Sequence, residues 1–134
     1  MAWQFIQVPT IDRRNILRAT LHGMQAAVTK LPVQPDSVLV DGRDVPPISM
    51  PCRAIIGGDG KVAAIAAASI VAKVLRDRYM VRLSDKYPAY GFAAHKGYGT
   101  KQHQEALADH GPLIHHRKSF KPIQQYWQQR EVVV

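Results

Sequence analysis

Cysteine is nearly absent from this chain, since Cys52 is the single one among 134 residues. A disulfide within the chain is therefore excluded, and a lone cysteine is typical of a protein that works in a reducing compartment such as the cytoplasm. We expect Cys52 to behave as a small packed apolar residue.

Long hydrophobic runs are also absent. No stretch approaches the eighteen or so consecutive apolar residues of a membrane-spanning helix, and residues 1–10 lack the basic-then-apolar order of a signal peptide. We therefore predict a soluble, intracellular, cytoplasmic protein that makes no use of a membrane.

Acidic residues are scarce, with 10 Asp and Glu against 18 Lys and Arg, and the formal net charge is +8. Such an excess of positive charge indicates a polyanionic partner, with nucleic acid as the first candidate. Solvated basic surfaces are common as well, so the charge does not decide the function alone.

The apolar pattern predicts a single α/β domain over residues 1–134. A helix capped by Thr10 is expected to bury a stripe that includes Leu17, and to stop at Pro32. Two short apolar runs, residues 37–40 and 53–56, have the character of interior strands. Helices alternating with short buried strands favour a layered α/β fold.

Two further helices are predicted in the second half. Residues 63–87 carry apolar side chains at helical spacing, and the alanine-rich first half of this segment predicts close packing against a sheet. Thr100 is the expected cap of a short polar helix over residues 101–110, which Gly111 ends.

An aspartate follows each predicted strand. Asp41 and Asp59 stand 18 residues apart, and the carboxyl ends of strands are where α/β folds place their sites. Two such carboxylates suit Mg²⁺ or Mn²⁺, which would activate water for hydrolysis. The alternative is that both residues only make turns, since Asp-Gly is a turn dipeptide. A third carboxylate, Asp77, lies between two arginines and is better explained by a solvated or salt-bridged role than by catalysis.

A glycine-flanked aromatic stands between the last two predicted helices. Lys96 offers charge to a phosphate, and the exposed face of Tyr98 offers a stacking surface to a sugar or base. The alternative is a loop that merely caps a helix. Residues 115–118, His-His-Arg-Lys, form either a phosphate-facing cluster or a solvated charge run. The histidines do not predict zinc, because neither a cysteine pair nor a close His-Glu helical spacing accompanies them.

Several segments, in this order, resemble the C-terminal two thirds of bacterial ribonuclease HII. The similar segments are residues 11–17, 38–42, 58–59, 67–74, 76–78, 90–100 and 115–120. The resemblance implies a ribonuclease H-like layered fold. It also implies an endonuclease that cuts the RNA strand of RNA/DNA hybrids and nicks duplex DNA 5′ to a ribonucleotide.

The resemblance also implies roles for individual residues. The family holds Mg²⁺ or Mn²⁺ with four carboxylates, of which Asp41 and Asp59 resemble the third and fourth. Tyr98 resembles the tyrosine that stacks at the ribose–deoxyribose junction. Other residues that fall in segments near the nucleic acid or the site are Ser69, Lys73, Lys96, His116, Arg117 and Ser119.

The family's first two carboxylates and its Gly-Arg-Gly loop precede the segment that resembles residues 11–17, so we expect this chain to lack them and the N-terminal strands that bear them. Two carboxylates should hold two metal ions poorly, and we therefore predict little or no activity for the chain alone. One alternative is a noncatalytic nucleic-acid-binding module with salt-sensitive binding. Another is an interaction fragment whose exposed sheet edges pair with a second copy or with a chain that supplies the missing strands.

Overall fold

Two helices precede a pair of consecutive short strands, and further helices follow. In the computed structural model, which describes residues 1–131, the helices and strands are α1 (Val8–Arg14), α2 (Ile16–Thr29), β1 (Val38–Asp41), β2 (Cys52–Ile55), α3 (Ala63–Lys86), α4 (Phe92–His95), α5 (Lys101–His110) and α6 (Lys121–Glu131). Residues divide into a first unit that ends at Ala72 and a second unit that begins at Lys73. The prediction of a single domain over residues 1–134 stays a prediction.

The first unit begins with two helices where one was predicted. The chain breaks at Asn15, whose φ of 69° and ψ of 165° lie outside the helical region. The side chain of Asn15 accepts a hydrogen bond of 3.0 Å from the backbone N–H of Arg18 and so caps α2. Thr10 lies inside α1, so its predicted capping role is wrong. The prediction that Leu17 is buried is also wrong, because its side chain is 50% exposed.

Strands β1 and β2 pair in parallel, with Val38 opposite Cys52 and Asp41 opposite Ile55. Both strand predictions are confirmed to within one residue at each end. Parallel sheets are usually covered on both faces. Here Val40 is the buried residue of these two strands, whereas Leu39 remains 43% exposed. The sheet of the first unit is therefore thinly covered.

Helix α3 forms as predicted, but the close packing predicted for its alanine-rich first half is wrong. Ile65 is buried, whereas Ala63, Ala67 and Ala68 are exposed and Ile70 is 66% exposed. A two-stranded sheet with four residues in each strand offers too little surface to cover this part of the helix.

The second unit contains the main apolar core. Tyr90 and Phe92 stack with ring centroids 5.4 Å apart and planes 7° from parallel, and Phe92 is only 2% exposed. The buried cluster comprises Met80, Leu83, Tyr90, Phe92, Ala106, Leu107 and Ile123. The cap predicted for α5 is confirmed, since the Thr100 hydroxyl accepts the His103 N–H at 3.3 Å. Among the described residues, no helix combines the length and the apolar character needed to cross a bilayer.

Candidate catalytic and nucleic-acid-binding residues

The first carboxylate stands at the end of β1. Asp41 is the last residue of that strand, it is exposed, and its Oδ1 accepts a hydrogen bond of 2.9 Å from the backbone N–H of Gly58. A Cβ on Gly58 would lie 2.7 Å from Cδ1 of Ile65, closer than a side chain can come. Glycine at position 58 therefore leaves room for the Ile65 side chain of α3 beside the backbone whose N–H holds Asp41.

The second carboxylate, Asp59, is the residue after Gly58. Asp59 is exposed on a short 3-10 turn, Gly58–Gly60, which the chain enters through Gly57 at a φ of 64°. Its Oδ1 accepts the N–H of Gly60 at 2.9 Å. Because the residue before Asp59 is bonded to Asp41, the structure brings the two predicted carboxylates to the same edge of the sheet.

These carboxylates fit a hard divalent cation in donor chemistry, because Mg²⁺ and Mn²⁺ prefer oxygen ligands and retain water. Within residues 1–131, however, no group of three or more His, Cys, Asp or Glu side chains could hold a metal ion. Asp41 and Asp59 therefore belong to no such group in the described part of the chain. Ser69, also in the first unit, is exposed on α3.

Lys73 and Asp77 form an ion pair on the part of α3 that belongs to the second unit. Nζ of Lys73 lies 3.2 Å from Oδ2 of Asp77, one helical turn away, and the two side chains are 61% and 33% exposed. The solvated or salt-bridged role predicted for Asp77 is therefore confirmed, with Lys73 rather than a flanking arginine as the partner. Pairs this exposed stabilise a helix only slightly, so the Lys73 ammonium remains accessible to an anion.

The loop between α4 and α5, residues 96–100, exposes Tyr98 to solvent. The Tyr98 side chain is 62% exposed, and the Lys96 ammonium donates to the Ala93 carbonyl. Gly97 has a φ of 83°, and a Cβ there would lie 2.9 Å from Cε of Met80, so this position also requires glycine. The loop keeps its backbone close to α3 and turns an aromatic face outward.

The basic segment after α5 is divided between surface and interior. The Arg117 guanidinium lies 4.5 Å from the ring centroid of Phe120, and Ser119 is exposed. The His116 ring is only 7% exposed, and its Nδ1 accepts the Leu113 N–H at 2.9 Å. A direct contact of His116 with nucleic acid stays a prediction, and its ring lies inside the unit.

A family model described as ribonuclease HII matches residues 1–123. The chain belongs to the ribonuclease HII family. Ribonuclease HII of Shewanella amazonensis is 53% identical over 116 residues, which cover 87% of this chain and 56% of that protein. Ribonuclease HII of Xanthobacter autotrophicus is 55% identical over 115 residues, which cover 86% of this chain and 46% of that protein.

The fold is also that of a ribonuclease H. The crystal structure of ribonuclease H2 from Pyrococcus horikoshii matches with a TM-score of 0.73 and 23% identity, covering 93% of this chain and 67% of that one. The predicted ribonuclease H-like α/β fold is therefore confirmed, as is the resemblance to ribonuclease HII. The chain spans about half the length of the curated ribonuclease HII relatives that it matches.

Sequence reasoning missed a cluster of buried histidines in this ribonuclease HII chain. His95, His103 and His116 come from α4, from α5 and from the segment after α5, and each is at most 7% exposed. One sequence signal was available, because His103 stands three and four residues before Ala106 and Leu107, on the apolar stripe of a helix. The contacts to the other two rings are long-range, and periodicity carries no information about them.

Proposed function

We propose that this chain contributes to a ribonuclease H-type endonuclease that hydrolyses the RNA strand of RNA/DNA hybrids and nicks duplex DNA 5′ to a ribonucleotide. The observation that carries this proposal is the placement of Asp41 and Asp59, exposed together at the carboxyl edge of a parallel sheet, in a chain of the ribonuclease HII family. Because the chain spans about half the length of its relatives, we expect weak or no cleavage by the chain alone.

Asp41 and Asp59 are the residues that would hold Mg²⁺ or Mn²⁺. Such an ion, when bound, supplies an activated water and stabilises the leaving oxygen. The protein's own contribution is to fix both carboxylates through backbone N–H groups, at 2.9 Å in each case. This fixation reduces the reorganisation needed when a cation and a phosphate arrive.

The second unit supplies the groups expected to contact nucleic acid. Eleven of the 18 Lys and Arg residues occur from residue 73 onward, against five of the 10 Asp and Glu. Exposed Tyr98 offers a stacking face, and Lys73, Lys96 and Arg117 offer charge to phosphates. Ser69, Ser119 and, through its neighbours, His116 complete the proposed set.

Cleavage of a labelled DNA duplex with one ribonucleotide, in Mn²⁺, tests this function. We expect at most slow nicking 5′ to the ribonucleotide, abolished in Asp41→Asn and retained in Asp85→Asn, which removes the same charge from another exposed site. Cleavage that survives Asp41→Asn would contradict the assignment. A lack of preference for the ribonucleotide duplex over an all-DNA duplex in binding would also contradict it.

A second candidate function is noncatalytic nucleic-acid binding. It is favoured by the finding that the described residues contain no group of three or more metal-ligating side chains, whereas the second unit has its own core and basic excess. Under this alternative, binding weakens steeply as salt rises and no nick forms in Mn²⁺. A nick lost in Asp41→Asn excludes it.

A third candidate is assembly with a further chain that supplies strands to the sheet. It is favoured by the sheet, which has only two strands among the described residues, since uncovered strand edges invite pairing. Leu39 of β1 is 43% exposed and Ile56, just after β2, is 61% exposed. Sedimentation equilibrium tests it directly. A dimeric mass would show that the partner is a second copy of this chain. A monomeric mass at all concentrations would exclude a second copy, and the partner would then be a different polypeptide.

A further inference from the structure

Three histidine rings lie side by side in the interior of the second unit. The rings of His95 and His103 stack with centroids 4.5 Å apart and planes 12° from parallel, and the centroids of His103 and His116 are 5.2 Å apart. Each ring is between 5% and 7% exposed. Buried ring nitrogens need hydrogen-bond partners, and the partners here fix the proton on each ring.

The hydrogen bonds of His103 and His116 run in one direction. The Leu113 N–H donates to Nδ1 of His116 at 2.9 Å, so a neutral His116 carries its proton on Nε2. That nitrogen lies 3.0 Å from Nε2 of His103, which must then accept. The His103 proton is left on Nδ1, 2.9 Å from the backbone carbonyl oxygen of Tyr98, to which it donates.

Both rings are neutral at pH 7. Burial lowers the pKa of His116 to about 4 and also lowers the pKa of His103. The cluster thus forms a chain of donors that starts at the Leu113 amide and ends at the Tyr98 carbonyl.

His95 holds the other side of the same loop. Its Nδ1 accepts the Gly97 N–H at 3.1 Å, and its Nε2 donates to the Tyr90 carbonyl at 2.6 Å. The Tyr98 N–H donates to the His95 carbonyl at 2.9 Å, and the Thr100 N–H donates to the Tyr98 carbonyl at 2.8 Å. The backbone of Tyr98 is therefore fixed at both its N–H and its C=O, while its side chain is 62% exposed.

We propose that His103, oriented by His116, is a positioning residue that holds Tyr98 ready to contact nucleic acid. The inference rests on the proposed function, in which the Tyr98 ring stacks on the substrate. Holding the loop in its binding conformation before the nucleic acid arrives removes part of the ordering cost of binding. His116 contributes to binding through His103, without touching the nucleic acid.

Two substitutions of His103 separate positioning from packing. The side-chain nitrogen of asparagine reaches the place of Nδ1 and retains a donor to the Tyr98 carbonyl, whereas the side-chain oxygen of glutamine reaches the place of Nε2 and still accepts from Nε2–H of His116. In EDTA, which prevents cleavage, we expect His103→Gln to weaken binding of a ribonucleotide-containing duplex about 3- to 10-fold and His103→Asn by less than about twofold. Equal losses in the two variants would overturn the proposal.

A double-mutant cycle with Tyr98→Ala tests whether His103 acts through Tyr98. We expect His103→Gln to cost nothing further in the Tyr98→Ala background, and the same loss in both backgrounds would overturn the proposal. If Tyr98→Ala alone leaves binding unchanged, the failure lies in the proposed contact of Tyr98.

Nitrogen-15 NMR of the unsubstituted chain tests the hydrogen-bond direction without nucleic acid and without a variant that risks misfolding. We expect the Nδ1–H tautomer at His103 and the Nε2–H tautomer at His116. An Nε2–H tautomer at His103 would overturn the proposal, whatever the binding experiments give.

Discussion

The two units position their functional groups by different means. In the first unit, Asp41 and Asp59 are exposed and are fixed by single backbone hydrogen bonds beside a thinly covered sheet. In the second unit, Tyr98 is fixed by a buried histidine cluster next to an aromatic core. An exposed tyrosine can therefore be held by buried side chains, whereas the two carboxylates are held by the backbone N–H groups of Gly58 and Gly60.

The largest expected effect comes from the core of the second unit. Phe92→Ala removes a ring that is 2% exposed and should lower the free energy of unfolding by about 3–5 kcal/mol. Leu39→Ala in the thinly covered sheet should cost less than about 1 kcal/mol. Urea denaturation followed by fluorescence measures both. Similar losses in the two variants would show that the units are equally packed.

Acidification should destabilise the second unit. Burial lowers the pKa of His103, His115 and His116, the last to about 4. Between pH 6.5 and 4 the unfolded chain therefore binds protons that the folded chain does not, and stability falls as pH falls. For His116 the slope between these two pH values is at most about 1.4 kcal/mol per pH unit. Denaturation at a series of pH values measures it, and a flat profile above pH 4 would contradict the buried neutral cluster.

The first unit should be sensitive at Gly58. Gly58→Ala places a Cβ 2.7 Å from Cδ1 of Ile65, and we expect a loss of about 1–3 kcal/mol. Gly60→Ala is the matched control, since nothing lies within 4 Å of its added Cβ. Thermal unfolding of both variants, and of Gly58→Ala with Ile65→Val, measures the effect. Equal losses at Gly58 and Gly60 would contradict the close approach.

The smallest expected effect is at the ion pair on α3. A double-mutant cycle of Lys73→Met and Asp77→Asn should give a coupling of only about 0.3–0.5 kcal/mol, because the pair is largely solvated. Binding should respond more than stability, since Lys73→Met removes a charge proposed to meet phosphate. A coupling above about 1 kcal/mol would assign Lys73 a structural role.

Local chemistry explains which parts of the fold follow from the sequence. The short apolar runs predicted β1 and β2 with Asp41 at a strand end, and the hydroxyl of Thr100 predicted the start of α5. The break at Asn15 was not predicted, because the apolar period continues across it. The histidine cluster was not predicted, because its contacts join residues up to 13 positions apart. The exposure of Ile70 was not predicted either, because it depends on whether another surface covers the helix, and periodicity carries no information about that.

The central claim is that the first unit supplies the carboxylates for a cation and the second unit supplies the contact with nucleic acid. Fluorescence anisotropy of a labelled ribonucleotide-containing duplex in EDTA, with Asp41→Asn and Tyr98→Ala beside the unsubstituted chain, tests it most directly. We predict that Asp41→Asn binds as tightly as the unsubstituted chain or more tightly, because a negative charge is lost, and that Tyr98→Ala binds more weakly. Weaker binding by Asp41→Asn together with unchanged binding by Tyr98→Ala would contradict the account.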